Sequence, residues 1–285
     1  MESEVDSATM TLGGGATGLL KRVATAVIAI PVFVWMVMRA PEWVFVLFVI
    51  GVGAAASWEL ARMFEQAGVP TYTRLGVGAG IAVTASFAVP ADAVGPALPM
   101  LVLSLAVAAL LSAPVWSPAR PATEPVALAL LGLVYVSWFL GHALLLHRLP
   151  DGADLILFLV GVTWIGESAA YLVGSALGRH KLAPMISPNK TVEGAVAQLL
   201  ASGLAALVLG AWLLNWQAPR LLVAGALLGL VGQIGDLAES VMKRSVGVKD
   251  TGGLIPGHGG VLDRVDGLLF NAPALYYYAA LGGGA

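Results

Sequence analysis

Cysteine is absent from this chain. Disulfide frameworks, thiolate metal sites and cysteine nucleophiles are therefore excluded. Charge is scarce as well: Asp, Glu, Lys and Arg make up 11% of the residues, against about 25% in an ordinary soluble domain. So few ionisable groups cannot cover a water-facing surface, which argues against a soluble globular enzyme. An excess of either sign is also missing. Lys and Arg number 15 and Asp and Glu 17, for a formal net charge of −2, so nothing draws the whole chain toward nucleic acid. What is present in quantity is apolar. Of 285 residues, 58% are hydrophobic, and the mean hydropathy is +0.86. That bulk excludes a disordered chain, and a bilayer solvates such an exterior directly. The chain reads as an all-α polytopic membrane protein whose function rests on its few polar residues.

A spanning helix needs about 20 mostly apolar residues. Nine segments approach this: 23–40, 43–61, 75–90, 97–116, 126–146, 154–178, 195–215, 221–242 and 265–281. With nine crossings, one side holds Lys21, Arg22, Arg62, Arg74, Arg120, Arg179, Lys181, Lys190, Lys243, Arg244, Lys249 and Arg264. The other holds only Arg39, Arg148 and Arg220. The positive-inside rule then predicts a cytoplasmic N-terminus. Residues 1–20 read as a flexible cytoplasmic tail. Residues 21–150 read as a transmembrane scaffold of about five helices, and 151–285 as a catalytic region of about four helices with two cytoplasmic loops. Lys21 and Arg22 ahead of an apolar run of about 18 residues imitate a signal peptide, but the run lacks a convincing small-x-small cleavage site and reads as a retained span.

Polarity is uneven along the chain. The first five spans hold few ionisable groups, chiefly Glu59, read as an interfacial residue near Arg62, and His142, read as a satisfied polar residue. Beyond residue 160 the charges move inside the spans. Glu167 lies in W-I-G-E-S-A-A-Y, Trp164 to Tyr171, about 20 Å from the outer end of its helix at about 1.5 Å per residue. An ionisable side chain at that depth costs about 2.5–3.5 kcal/mol on insertion scales and is a functional candidate by default. The stretch G-D-L-A-E-S-V-M-K-R, Gly235 to Arg244, sets Asp236, Glu239 and Lys243 on one helical face with Ser240. Glu239 and Lys243 can simply pair, which leaves Asp236 uncompensated.

Two loops carry the remaining chemistry. The first, Gly178 to Gly194, is rich in Lys, Arg, Ser and Thr and stiffened by two prolines. Its Lys181, Lys190, Ser187 and Thr191 suit phosphate oxygens. The run Ser187-Pro188-Asn189-Lys190-Thr191 with Glu193 can open the next helix and offer backbone N–H groups to an anion. The second loop, Val248 to Gly267, contains glycines that let backbone approach a ligand, and it brings Asp263 and Asp266 to one face at the start of the last helix. With Asp236 these make an all-oxygen set suited to Mg²⁺. His258 is placed to donate to a phosphate or a loop carbonyl. Acids, cations and a membrane address together point to metal-assisted phosphoryl or nucleotidyl transfer involving a lipid.

The stretch S-V-M-K-R-S-V-G-V-K-D-T-G-G-L-I-P-G-H-G-G-V-L-D-R-V-D, Ser240 to Asp266, resembles the signature of the phosphatidate cytidylyltransferase (CDP-diacylglycerol synthase) family. The preceding G-D-L-x-E-S and the earlier H-K-L-x-P-x-I-S-P-x-K-T-x-E-G are similar to that family too, and together they cover about 160–270. The resemblance implies conversion of CTP and phosphatidate to CDP-diacylglycerol and pyrophosphate with Mg²⁺, with room for a second cation. It also implies the cytoplasmic face of a bacterial inner membrane, and family members can form homodimers. Metal ligands are implied at Asp236, Asp263 and Glu167. Further catalytic positions are implied at Glu239, Lys249, Asp250, His258, Arg264 and Asp266. Substrate contacts are implied at Lys181, Ser187, Pro188, Asn189, Lys190, Thr191, Glu193, Ser240, Lys243, Arg244, Gly259 and Gly260. One departure stands out: the family usually has Asp where this chain has Glu167.

An ion-coupled secondary transporter is the rival reading, since it also uses intramembrane carboxylates such as Glu167 and Asp236. It leaves the glycine-rich loop with His258 and Asp263 unexplained. The motifs of CDP-alcohol phosphotransferases and of zinc-dependent intramembrane proteases are absent.

Overall fold

The structure is a computed structural model, and it describes residues 27–90, 97–116, 123–254 and 259–282. Residues 1–26, which include the predicted tail, and His258 lie outside the described residues. The described elements are α1 Val27–Arg39, α2 Glu42–Gln66, α3 Thr73–Ser86 and α4 Leu98–Ser112 with a 3₁₀ turn to Trp116. Next come α5 Glu124–His147, α6 Gly152–Leu177, β1 Lys181–Ala183 and β2 Ser187–Thr191. The series ends with α7 Val192–Leu213, α8 Ala218–Ser245 and α9 Leu262–Leu281.

Every expected span coincides with one of these helices. Six of them, α2, α4 with its 3₁₀ extension, α5, α6, α7 and α8, are long and apolar enough to cross a bilayer. The third segment is only 14 residues long as α3. The number of crossings and the side on which the N-terminus lies stay expectations. One element was not expected. The run 181–191, read as a loop, is an antiparallel hairpin with Lys181 paired to Thr191 and Ala183 to Ser187. A single extra pair of short strands leaves little periodicity to read in so polar a segment.

Local chemistry sets the helix ends. Pro99, Pro125 and Pro219 stand in the first turns of α4, α5 and α8, where a missing N–H costs nothing. Thr191 caps α7, its Oγ1 accepting from the Gly194 N–H at 3.1 Å. Gly247, at φ +73°, ends α8 in a left-handed cap whose N–H donates to the Arg244 carbonyl at 3.1 Å. Within α5, Leu133–Trp138 is a π-helical segment.

The C-terminal helices pack in sequence: α6 on α7, α7 on α8, and α8 on α9. Helix α9 also leans on α6, on the second half of α5 and on α2, while α3 packs against α2, α4 and the π-helical segment. Ser202 and the Gly203 Cα lie so close to Gly225 that a Cβ there would sit 2.6 Å from the Ser202 carbonyl, and the α7–α8 pair is correspondingly tight. Leu200, Leu204, Val208 and Trp212 form an exposed stripe along α7, spaced for one helical face and suited to lipid. Two polar groups inside the bundle have partners there. Asn271 Nδ2 donates to Thr163 Oγ1 at 2.9 Å. His142, 1% exposed, has Nδ1 2.9 Å from the Trp138 carbonyl and Nε2 3.3 Å from the Tyr277 hydroxyl, which is the satisfied polar role expected of it.

Candidate active site

The site lies where α6 and α8 end and α7 and α9 begin. On α8, Asp236 and Glu239 are three residues apart and so project from one face. On α9, Asp266 lies in the second turn. Gly235 decides how near these helices come: a Cβ there would sit 2.9 Å from the Asp266 carbonyl. The outcome is a cluster of three carboxylates, Asp236, Glu239 and Asp266, with an oxygen from each within 4.8 Å of the others. Carboxylates this close repel unless protons, cations or metal ions compensate them.

Two lysines stand against the cluster. Lys190 on β2 places Nζ 2.6 Å from Asp236 Oδ2. Lys243 on α8 donates to Glu239 Oε2 at 2.5 Å and to Asp263 Oδ1 at 2.9 Å. Asp263 Oδ2 accepts from the Thr251 N–H at 3.1 Å and from the Gly260 N–H at 3.0 Å. Asp263 thus ties the glycine-rich loop to α8 through Lys243, whereas Asp266 joins the carboxylate cluster. Gly259 adopts φ +81°, a left-handed conformation that favours glycine.

Glu167 on α6 is half-buried, and its Oε1 lies directly over the Cα of Gly267. It feels the charges of Asp266 and Asp236 without being one of the three clustered acids. The extra methylene relative to aspartate is accommodated because position 267 has no side chain. Gly267→Ala is therefore expected to push the Glu167 carboxyl aside and lower turnover about 10–100-fold, the usual cost of disturbing a ligand's surroundings. Glu167→Asp in the same chain retracts the carboxyl and should restore most of the loss. Steady-state rates of the two single variants and the double variant test this; equal rates for Gly267→Ala with and without the second change would refute it.

The structure sorts the other expected residues by position. Ser240 and Thr191 are buried beside the site, and Ser187 is half-buried. Lys181, Pro188, Asn189, Lys249, Asp250 and Arg264 are exposed. Arg244 donates from Nε to the Ile186 carbonyl at 3.1 Å and from Nη1 to the Val248 carbonyl at 2.6 Å, fastening the hairpin to the end of α8. Glu193 turns away from the acids: its Oε1 is 2.7 Å from His180 Nδ1, and it accepts from the His180 N–H.

Two residues of the first half also reach this region. Glu59 is 1% exposed, and its Oε2 accepts from the Leu262 N–H at 2.9 Å. This corrects the interfacial reading: Glu59 faces inward, away from Arg62, which pairs with Glu65 at 2.9 Å. Glu59 and Arg62 are three positions apart, and the sequence alone does not say which side of α2 meets a partner. Tyr135, on the π-helical segment, is buried in the field of Glu239, Asp266, Asp236 and Asp263. The available signal for Glu59 was a lone acid in an otherwise apolar span.

Known proteins resemble this chain in sequence. The model of the family described as "Cytidylyltransferase family" matches residues 20–281. A phosphatidate cytidylyltransferase of Brucella suis biovar 1 is 38% identical over 275 residues, covering 93% of this chain and 94% of that protein. A phosphatidate cytidylyltransferase of Synechocystis is 48% identical over 139 residues, 47% of this chain and 46% of that protein. The uncharacterized protein YnbB of Escherichia coli strain K12 is 41% identical over 152 residues, 52% of this chain and 51% of that protein. The chain thus spans about half the length of the last two relatives. None of these three names is that of a transporter.

Proposed function

This chain belongs to the cytidylyltransferase family, and from that premise we propose that it is a phosphatidate cytidylyltransferase, joining CTP and phosphatidate to give CDP-diacylglycerol and pyrophosphate. The observation that carries the reading is the cluster of Asp236, Glu239 and Asp266 within 4.8 Å, flanked by Lys190 and Lys243, in a bundle whose helices are apolar enough for a membrane. The lipid headgroup arrives laterally and the nucleotide from the aqueous side.

The donor set fits Mg²⁺: all three groups are hard oxygen ligands, and Glu239 Oε1 is buried with no hydrogen-bond partner among the described residues. Asp236, Asp266 and Glu239 would hold the ion, with Asp263 held one lysine away and Glu167 behind. When bound, it neutralises triphosphate charge and favours departure of pyrophosphate. The phosphatidate phosphomonoester is largely dianionic near pH 7, since its second pKa is about 6. It is its own nucleophile, so no serine, cysteine or general base is required. One of its oxygens forms a bond to the α-phosphorus of CTP while the bond from that phosphorus to the bridging β-oxygen breaks. Lys190 and Lys243 offset the charge of two anions brought together, and the hairpin and glycine-rich loop limit where they can sit. The excess of Lys and Arg on the side bearing Lys190 and Lys243 supports a cytoplasmic active face, and the bacterial relatives support a bacterial inner membrane.

The test is pyrophosphate release by purified protein in mixed micelles. Release is expected to require both CTP and phosphatidate, to fall to background with excess EDTA and to return with Mg²⁺. Folded protein that releases no pyrophosphate, or releases it without phosphatidate, would overturn the assignment.

A further inference from the structure

Glu59 lies on α2, in the half of the chain that otherwise reads as scaffold, and is 1% exposed. Its Oε2 accepts from the N–H of Leu262, 203 positions later in sequence, at 2.9 Å. Leu262 opens α9, so its N–H is among the donors that a helix leaves unsatisfied at its start. An acid at that end also opposes the positive pole of the helix. Helix α9 draws this partner from a different helix because no side chain of its own cap residue, Val261, supplies one.

The fit around this carboxyl is close. A Cβ on Gly252 would sit 2.7 Å from Glu59 Oε1. A Cβ on Gly260 would sit 2.8 Å from Glu59 Oε2, 2.5 Å from Thr251 Oγ1 and 2.9 Å from Asp263 Oδ2. Glu59 and Asp263 therefore grip the same piece of backbone from two sides. Asp263 takes the N–H groups of Thr251 and Gly260, and Glu59 takes that of Leu262. Beyond Asp263 lies Lys243 and then Glu239, and Asp266 follows Asp263 by less than one helical turn.

We propose that Glu59 is a positioning residue for the transfer reaction: by anchoring the first turn of α9 it sets where Asp263 and Asp266 stand relative to α8. This rests on the cytidylyltransferase reading, deepens it, and brings the first half of the chain into the work of the site. A substitution that keeps an acceptor oxygen at the same reach should keep the anchor, and an apolar one of similar length should release the turn without emptying the space.

The experiment compares wild type, Glu59→Gln and Glu59→Met, with Glu59→Asp as a control too short to reach the Leu262 N–H. Glu59→Met is expected to lower kcat about 10–100-fold, with the KM for CTP changed less than about threefold because Lys190 and Lys243 stay in place. Glu59→Gln should return kcat to within about threefold of wild type, since its amide oxygen accepts the same bond. Amide hydrogen exchange of a peptide covering residues 260–268 should quicken at least about tenfold in Glu59→Met and stay near wild type in Glu59→Gln, with α8 peptides unchanged. If Glu59→Met does not fold, Glu59→Asp carries the same expectation. Wild-type rates in both Glu59→Met and Glu59→Asp would overturn the inference. So would equal losses in Glu59→Gln and Glu59→Met, or unchanged exchange at 260–268. Absent turnover in wild type would instead count against the cytidylyltransferase reading.

Discussion

Asp236→Asn is expected to remove nearly all turnover, about a thousandfold or more and hence roughly 4 kcal/mol of transition-state stabilisation, while leaving the protein folded. The two effects separate because they have different origins. Asp236 is one of three carboxylates within 4.8 Å, so replacing it with a neutral isostere relieves like-charge repulsion rather than creating strain. The ion pair it weakens, with Lys190 at 2.6 Å, has side chains 23% and 34% exposed, and the asparagine oxygen can still accept from that ammonium. Catalysis has no such cushion, since under the proposed mechanism Asp236 would help hold the cation that offsets the negative charge of the transferring group. Pyrophosphate release and thermal unfolding of the same preparation test both halves. Near-normal turnover in a folded Asp236→Asn protein would remove the carboxylate cluster from the mechanism.

Lys243→Met should have the reverse profile, losing stability and activity together. Lys243 is the shared partner of Glu239 and Asp263, and these three side chains are only 12%, 1% and 11% exposed. Deleting one partner of a buried pair leaves an uncompensated charge and typically costs about 3–5 kcal/mol. Methionine keeps most of the volume, so the loss reports charge rather than a cavity. Lys243→Met with Glu239→Gln should recover much of the unfolding midpoint, because the more deeply buried stranded charge is gone while Asp263 keeps the Thr251 and Gly260 N–H groups, and should stay inactive. If the single variant unfolds at the wild-type temperature, Lys243 does not hold the two acids together as its geometry requires.

Much of the helical framework was legible in the sequence. Long apolar runs with few charges leave no alternative to helices in a bilayer, because backbone N–H and C=O groups must be satisfied within the segment. Proline near helix starts and glycine after α8 fit the observed boundaries for local steric reasons, though the apolar runs alone carried the reading. The chemical residues were legible for a related reason: Asp236, Glu239, Lys243, Asp263 and Asp266 are costly inside or beside spans and share faces at helical spacing. The hairpin at 181–191 was less visible, because its two strands are three and five residues long and carry too little period to outweigh a loop reading.

The division of labour among the acids was decided in three dimensions. Asp263 and Asp266 look equivalent in sequence, three apart on one helix. Packing sends Asp263 to Lys243 and the Thr251 and Gly260 amides, and Asp266 to Asp236 and Glu239, because Gly235 lets α9 close on α8 at that level. Glu59 shows the same limit from the other side. Its spacing on α2 places it near Arg62, but the contact that matters is with a backbone N–H more than two hundred residues away. Composition and periodicity specify which segments must leave water and which side chains are too expensive to be idle. Which of those side chains meet depends on helix crossings, and crossings are set by the small residues of two different helices at once. No single stretch of chain contains that information.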